Sequence, residues 1–149
     1  MSKLYVAYGS NLNIEQMKMR CPSARIYAKG TLVDWKLAFR GVDGNSHATI
    51  LESDGDSVPV ALWTIERSDE RMLDIYEGYP KYYYKDIIAV HTEDSVKYAM
   101  VYIMDESRKP GRPSPHYVKT IVKGYNDNGL DVEYLNSVLR ENKEECVIA

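Results

Sequence analysis

The chain has 149 residues, 44% of them hydrophobic, and a formal net charge of -3. That length suits one domain, residues 1–149, with enough apolar mass for a core. The mildly acidic balance recruits neither nucleic acid nor a membrane surface, and no apolar run approaches the roughly 20 residues that span a bilayer.

Met1-Ser2-Lys3 leads into no hydrophobic signal segment, and Cys21 and Cys146 are isolated, so a cytoplasmic protein with reduced thiols is expected. Thirteen tyrosines stand against one phenylalanine. Tyrosine buries a ring and keeps a hydroxyl, and core filling accounts for most of them.

Leu4–Tyr8 reads as a buried strand that stops at Gly9-Ser10-Asn11. Asn13 is placed to cap a short helix, with Gln16 at capping-box spacing, and that helix ends before Pro22. Arg25–Arg40 alternates around Gly30 and predicts two strands or one bent strand. His47–Glu52 and Val58–Ile65 flank the turn signal Ser53-Asp54-Gly55-Asp56-Ser57, which predicts a hairpin. Ser68 is the expected cap of a helix whose first turn carries Asp69 and Glu70. Met72, Leu73 and Tyr76 are spaced to face the core, and Gly78 and Pro80 end the helix.

Tyr82–His91 and Val96–Met104 read as strands, the second apolar on both faces and so central. Ser114 and Pro115 open a helix that breaks at Asn128-Gly129. A last helix covers about residues 131–143, with 144–149 frayed. Strands fill the middle and helices the ends, which is the pattern of an α+β domain.

Two segments carry candidate chemistry. The amides of Gly9, Ser10 and Asn11 suit an anion or a carbonyl oxygen, although an ordinary strand-to-helix connection would look the same. The segment lacks the spacing and Lys-Ser/Thr ending of a phosphate loop. Glu77 ends a helix, where the negative dipole end disfavours a carboxylate. A residue that breaks a local rule is a functional candidate, and Tyr76, Tyr79 and Tyr84 are positioned in sequence to wall it. Burial there raises a carboxyl pKa toward the range of a general base. His47, His91 and His116 show no metal spacing and read as structural or surface residues. Ser10 lacks a hydrolase elbow, and Cys21 has no obvious base. Tyr117 is left open between core and ligand.

The segments Tyr5-Val6-Ala7-Tyr8-Gly9-Ser10-Asn11-Leu12, Arg20-Cys21-Pro22-Ser23-Ala24, Leu32 through Leu37, His47-Ala48-Thr49-Ile50, Leu73 through Gly78, Pro113 through Tyr117 and Gly129-Leu130 with Tyr134 resemble, in order, those of the gamma-glutamylcyclotransferase family (AIG2-like superfamily). The resemblance implies a small mixed sheet forming a partly closed barrel flanked by helices. It implies that Glu77 is the catalytic acid/base. It also implies a substrate-holding loop of Tyr5, Val6, Ala7, Tyr8, Gly9, Ser10 and Asn11, with ligand-facing tyrosines at Tyr84 and Tyr117. The implied reaction releases 5-oxoproline and an amine from a small gamma-glutamyl substrate, as in glutathione metabolism, with no cofactor and no metal. Pro80 is found more often in the wider superfamily, which includes enzymes of gamma-glutamyl amines, whereas the C-terminal part is closer to the branch acting on gamma-glutamyl amino acids. A homodimer is a family option that no sequence signal decides. The alternative is a catalytically silent binder of gamma-glutamyl compounds or of a protein.

Overall fold

The structure, a computed structural model, describes residues 2–148. Five strands run in chain order: β1 (Lys3–Ala7), β2 (Arg25–Arg40), β3 (His47–Ile65), β4 (Tyr83–His91) and β5 (Val96–Met104). Their spatial order is β1-β3-β2-β4-β5, closed into a barrel. β3 pairs antiparallel with both β1 and β2, and β4 pairs antiparallel with β5 along its whole length. Two narrow seams complete the ring. Thirty-one meets ninety-one where β2 joins β4 (Thr31 opposite His91), and β5 runs parallel to β1 with Tyr5 opposite Met100. Closure satisfies edges that would otherwise offer unpaired backbone groups.

Four helices flank the barrel: α1 (Ile14–Arg20), α2 (Arg67–Glu77), α3 (Pro115–Asp127) and α4 (Val132–Ile148). Val6, Leu62, Val101 and Ile103 form the barrel's part of the core, and Leu73, Ile121, Tyr125 and Leu135 join it from the helices. The domain is therefore α+β, as its pattern predicts.

Several elements differ from the expectation. Residues 53–57 do not turn a hairpin. Both flanks pair with β2, Glu52 opposite Trp35 and Ser57 opposite Val33. The intervening residues bulge out opposite Asp34, whose carboxylate accepts the Gly55 amide at 3.0 Å. The turn chemistry is thus used locally without reversing the strand. The cap of α2 is Glu66 rather than Ser68, with the Asp69 carboxylate accepting the Glu66 amide at 2.9 Å. Of the three residues expected in the core, only Leu73 is buried. Met72 and Tyr76 are exposed. The last helix runs on through Ile148 instead of fraying, and Ala149 lies outside the described residues.

Candidate active site

β1 delivers its last residues to one end of the barrel, where Ser10–Leu12 wind into a single 3₁₀ turn. The Leu12 amide donates to the Gly9 carbonyl at 3.0 Å. The capping residues then lock this turn to α1. Asn13 Oδ1 accepts the Gln16 amide at 2.9 Å, and Gln16 Nε2 donates to the Ser10 carbonyl at 3.0 Å. Gln16 therefore reaches one turn further back than a capping box requires. The first amides of such a turn have no partner within it, which leaves donors to spare beside the cleft. Gly9 is required by close approach: a Cβ there would lie 3.0 Å from Ala48 Cβ and 3.7 Å from the Tyr117 hydroxyl.

The second wall comes from α2. Glu70, Asp74 and Glu77 are spaced i, i+4, i+7 and share one helix face. The first two are neutralised. Glu70 pairs with Lys3 at 2.8 Å and with Lys85 at 2.7 Å, and Asp74 pairs with Lys85 at 2.8 Å and accepts the Tyr102 hydroxyl at 2.6 Å. Glu77 has no ion pair among the described residues. It closes the helix just before Gly78, whose φ of 62° is the left-handed conformation that glycine adopts without a Cβ penalty. The residue as a whole is half-buried, but its carboxyl group is largely shielded. Burial pushes its pKa up to about 7, against a smaller downward pull from the Arg20 charge. A carboxyl in that position is poised to exchange a proton near neutral pH.

Glu77 and the Gly9–Asn11 loop line one narrow cleft, of about 30 Å³. Its remaining walls are Ala48 and the rings of Tyr5, Tyr8, Tyr83, Tyr102 and Tyr117. These rings are held in place by backbone. Tyr8 donates to the Tyr102 carbonyl at 2.7 Å, and Tyr83 donates to the Ala48 carbonyl at 2.7 Å. The Ala48 amide donates to the Tyr117 hydroxyl at 3.0 Å. Burial raises all five phenols above their ordinary pKa. They stay neutral, which leaves Glu77, among the described residues, as the one group lining the cleft that exchanges a proton near neutral pH.

The structure thus brings together Glu77, Tyr5, Tyr8, Gly9, Ser10, Asn11 and Tyr117. Val6 and Ala7 do not line the cleft and are buried in the barrel wall instead. Tyr84 is corrected to its neighbour. It is 38% exposed, whereas Tyr83 is 5% exposed and lines the cleft. Strand alternation sends the two to opposite faces. Tyr79 is exposed beneath Lys85, 4.2 Å from the ring centroid, and Tyr76 faces the outer rim. Tyr102 had no local signal in the sequence, and Ala48 stands out there only within the His47-Ala48-Thr49-Ile50 segment of the resemblance. His47 is half-buried and His116 and His91 are exposed, as expected, and the first two border an outer cavity. Cys21 is buried with its thiol pushed up to about 12, so it is a poor nucleophile. Among the described residues no cluster of His, Cys, Asp or Glu has the makings of a metal site.

Comparison with known proteins agrees with this fold. The model of the AIG2-like family matches residues 57–138. The chain is 36% identical over 148 residues to the gamma-glutamylcyclotransferase of Bos taurus, covering 92% of this chain and 79% of that one. It is 35% identical to that of Homo sapiens over 141 residues, or 89% and 75% of the two chains. A solved structure described as a gamma-glutamyl cyclotransferase superposes with a TM-score of 0.84 at 33% identity, covering 93% of this chain and 86% of that one. The chain belongs to the AIG2-like, gamma-glutamylcyclotransferase family of enzymes.

Proposed function

We propose that the protein cyclises a gamma-glutamyl substrate to 5-oxoproline and a free amine, with Glu77 as the single acid/base. The observation that carries this reading is the unpaired Glu77 carboxyl, with a pKa of about 7, in one cleft with the Gly9–Asn11 donors. The substrate supplies its own nucleophile. The Glu77 carboxylate takes one proton from the α-ammonium, and the neutral amine attacks the γ-carbon. That proton passes to the leaving nitrogen as its bond to the γ-carbon breaks. The second ammonium proton ends on the released amine, so the carboxylate is regenerated.

Proton transfer of this kind contributes about 10²–10⁴ in rate. Holding the folded conformer of a molecule that carries both reacting groups adds more. The amides of Gly9, Ser10 and Asn11 serve as donors to the α-carboxylate or to the oxyanion that develops on the γ-carbonyl. The neutral tyrosines fence the reacting atoms from water. The direct test is 5-oxoproline release from a panel of gamma-glutamyl amino acids, gamma-glutamyl amines, gamma-glutamyl-lysine isopeptide and glutathione. Product from at least one class is expected. No product from any of them, with the protein folded, overturns the reading in favour of a silent binder.

A further inference from the structure

The inner cleft meets a wider cavity of about 360 Å³ at Ser10, Glu77, Tyr83 and Tyr117. With the glutamyl group in the cleft, the amine that departs from its γ-carbon lies in this outer space. Among the described residues, Arg20, in the last turn of α1, is the one cationic side chain of its wall apart from two histidines. Arg20 is held twice. Its Nη1 donates to Asn11 Oδ1 at 2.7 Å, and its guanidinium carbon sits 4.1 Å above the Tyr76 ring centroid. These contacts use one N–H and one face of a planar fork that offers five donors. No carboxylate pairs with Arg20 among the described residues.

Among the described residues the only acid lining the outer cavity is Glu77, at its floor. Arg20 acts on that carboxyl through space, without an ion pair. His47 is held toward its neutral form by burial, and its ring packs edge-on against Tyr117 at 5.1 Å. The cavity therefore presents a positioned, unpaired guanidinium on the side from which the leaving group exits. Such a field favours an anion there.

We propose that Arg20 is a specificity-determining residue that reads the charge of the leaving group. Its remaining N–H groups hold a carboxylate on the departing amine, so conjugates of amino acids outrun conjugates of uncharged amines. This rests on the cyclotransferase reading above. A purely structural role is also written into the contacts, since Arg20 braces Asn11, which in turn holds Tyr5. A brace would act on every substrate alike, and a charge reader would not.

The test is the ratio of kcat/KM for γ-glutamyl-L-alanine to that for γ-glutamyl-ethylamide, which is the same compound without its carboxylate. The wild-type ratio is expected at about tenfold or more, the order of one charge-assisted hydrogen bond. In Arg20→Gln the ratio should collapse to about one, whatever happens to the absolute rates, and Arg20→Lys should keep part of it. A wild-type ratio near one overturns the proposal without any variant. A ratio unchanged in Arg20→Gln, with both substrates slowed equally, also overturns it and leaves Arg20 as a brace. If neither compound yields 5-oxoproline while glutathione or the lysine isopeptide does, the proposal is overturned and the cyclotransferase reading stands; if no member of the panel does, the failure belongs to the cyclotransferase reading.

Discussion

Asn11 Nδ2 donates to the Tyr5 hydroxyl at 2.9 Å, so the tip of the loop after β1 is tied to the strand that produced it. The same amide accepts Arg20 on its oxygen. With one donor and one acceptor both committed, the side chain has a single orientation, and the neighbouring backbone N–H groups are fixed before any substrate arrives. Preorganised donors of this kind cost no reorganisation during reaction.

Gly9→Val should lose substrate affinity before it loses its fold. The added Cβ meets Ala48 Cβ at 3.0 Å, and the loop must move to relieve it. Overpacking costs about 1–3 kcal/mol, which a domain with a typical 5–15 kcal/mol of stability survives. Donors displaced by about 1 Å are the harsher loss. Thermal unfolding should stay cooperative at a lower midpoint, while calorimetric binding of a gamma-glutamyl ligand disappears. Unchanged affinity and turnover would reduce the loop to a connector.

Glu77→Gln should fold, bind substrate and lose nearly all turnover, because the amide matches the carboxylate in shape and cannot accept a proton. Its stability should also depart from the parent's with pH. A carboxyl raised from 4.5 to about 7 favours the folded state fully below the unfolded value. That contribution drains away as pH rises toward 7, where the folded group finally ionises. The neutral amide escapes this loss. The variant should gain on the parent between about pH 4.5 and 7, by up to about 3 kcal/mol. Denaturation midpoints that track each other across this range would place the Glu77 carboxyl in water.

The pH dependence of kcat/KM follows from the same group. Below about 7 Glu77 in the free protein holds a proton and cannot accept one from the substrate ammonium. The value of kcat/KM should rise through one ionisation near 7 and then level. Initial rates from pH 5 to 8.5 at substrate well below KM would show it, and a flat profile would remove Glu77 as the base.

Tyr83→Phe and Tyr84→Phe should separate cleanly. Tyr83 donates to the Ala48 carbonyl inside the cleft, so its loss leaves a buried acceptor bare and costs about 1–3 kcal/mol, with reduced turnover. Tyr84 is on the outer face, and its hydroxyl should be dispensable for both. Equal effects in the two variants would contradict the strand register.

Much of this site was legible in the sequence where the signal is local. The Gly9 loop, the Asn13 cap and the helix-ending Glu77 all announce themselves within a few residues, and all three have the local geometry expected of them. Tyr84 is expected at the site from the resemblance and from its nearness in sequence to Glu77, and neither fixes which of the adjacent Tyr83 and Tyr84 the strand turns inward. The bulge at residues 53–57 failed for a related reason. A turn-forming composition bends a chain, but whether the next strand reverses depends on the distant partner, here β2. Tyr102 is a contact of long range and had no local mark at all. The acidic row of α2 was readable as spacing, yet the lysines that neutralise two of its members come from β1 and β4.

The barrel's narrow parallel seam between β1 and β5 has a further meaning for how the chain acquires activity. The cleft needs the loop after residue 8, the end of α2, the interior of β5 and the first turn of α3, so it spans residues 5 to 117. None of these segments holds a partial site alone, and the first and last strands must meet before the walls face each other. Pairings this distant in sequence form late, after the loops between them have closed. During synthesis the walls of the cleft therefore stay incomplete until α3, which follows the last strand, has emerged and docked. Under the proposed cyclotransferase reading, the onset of turnover should report that docking rather than the closing of the ring, and so serve as a clock for the last piece of the site to arrive.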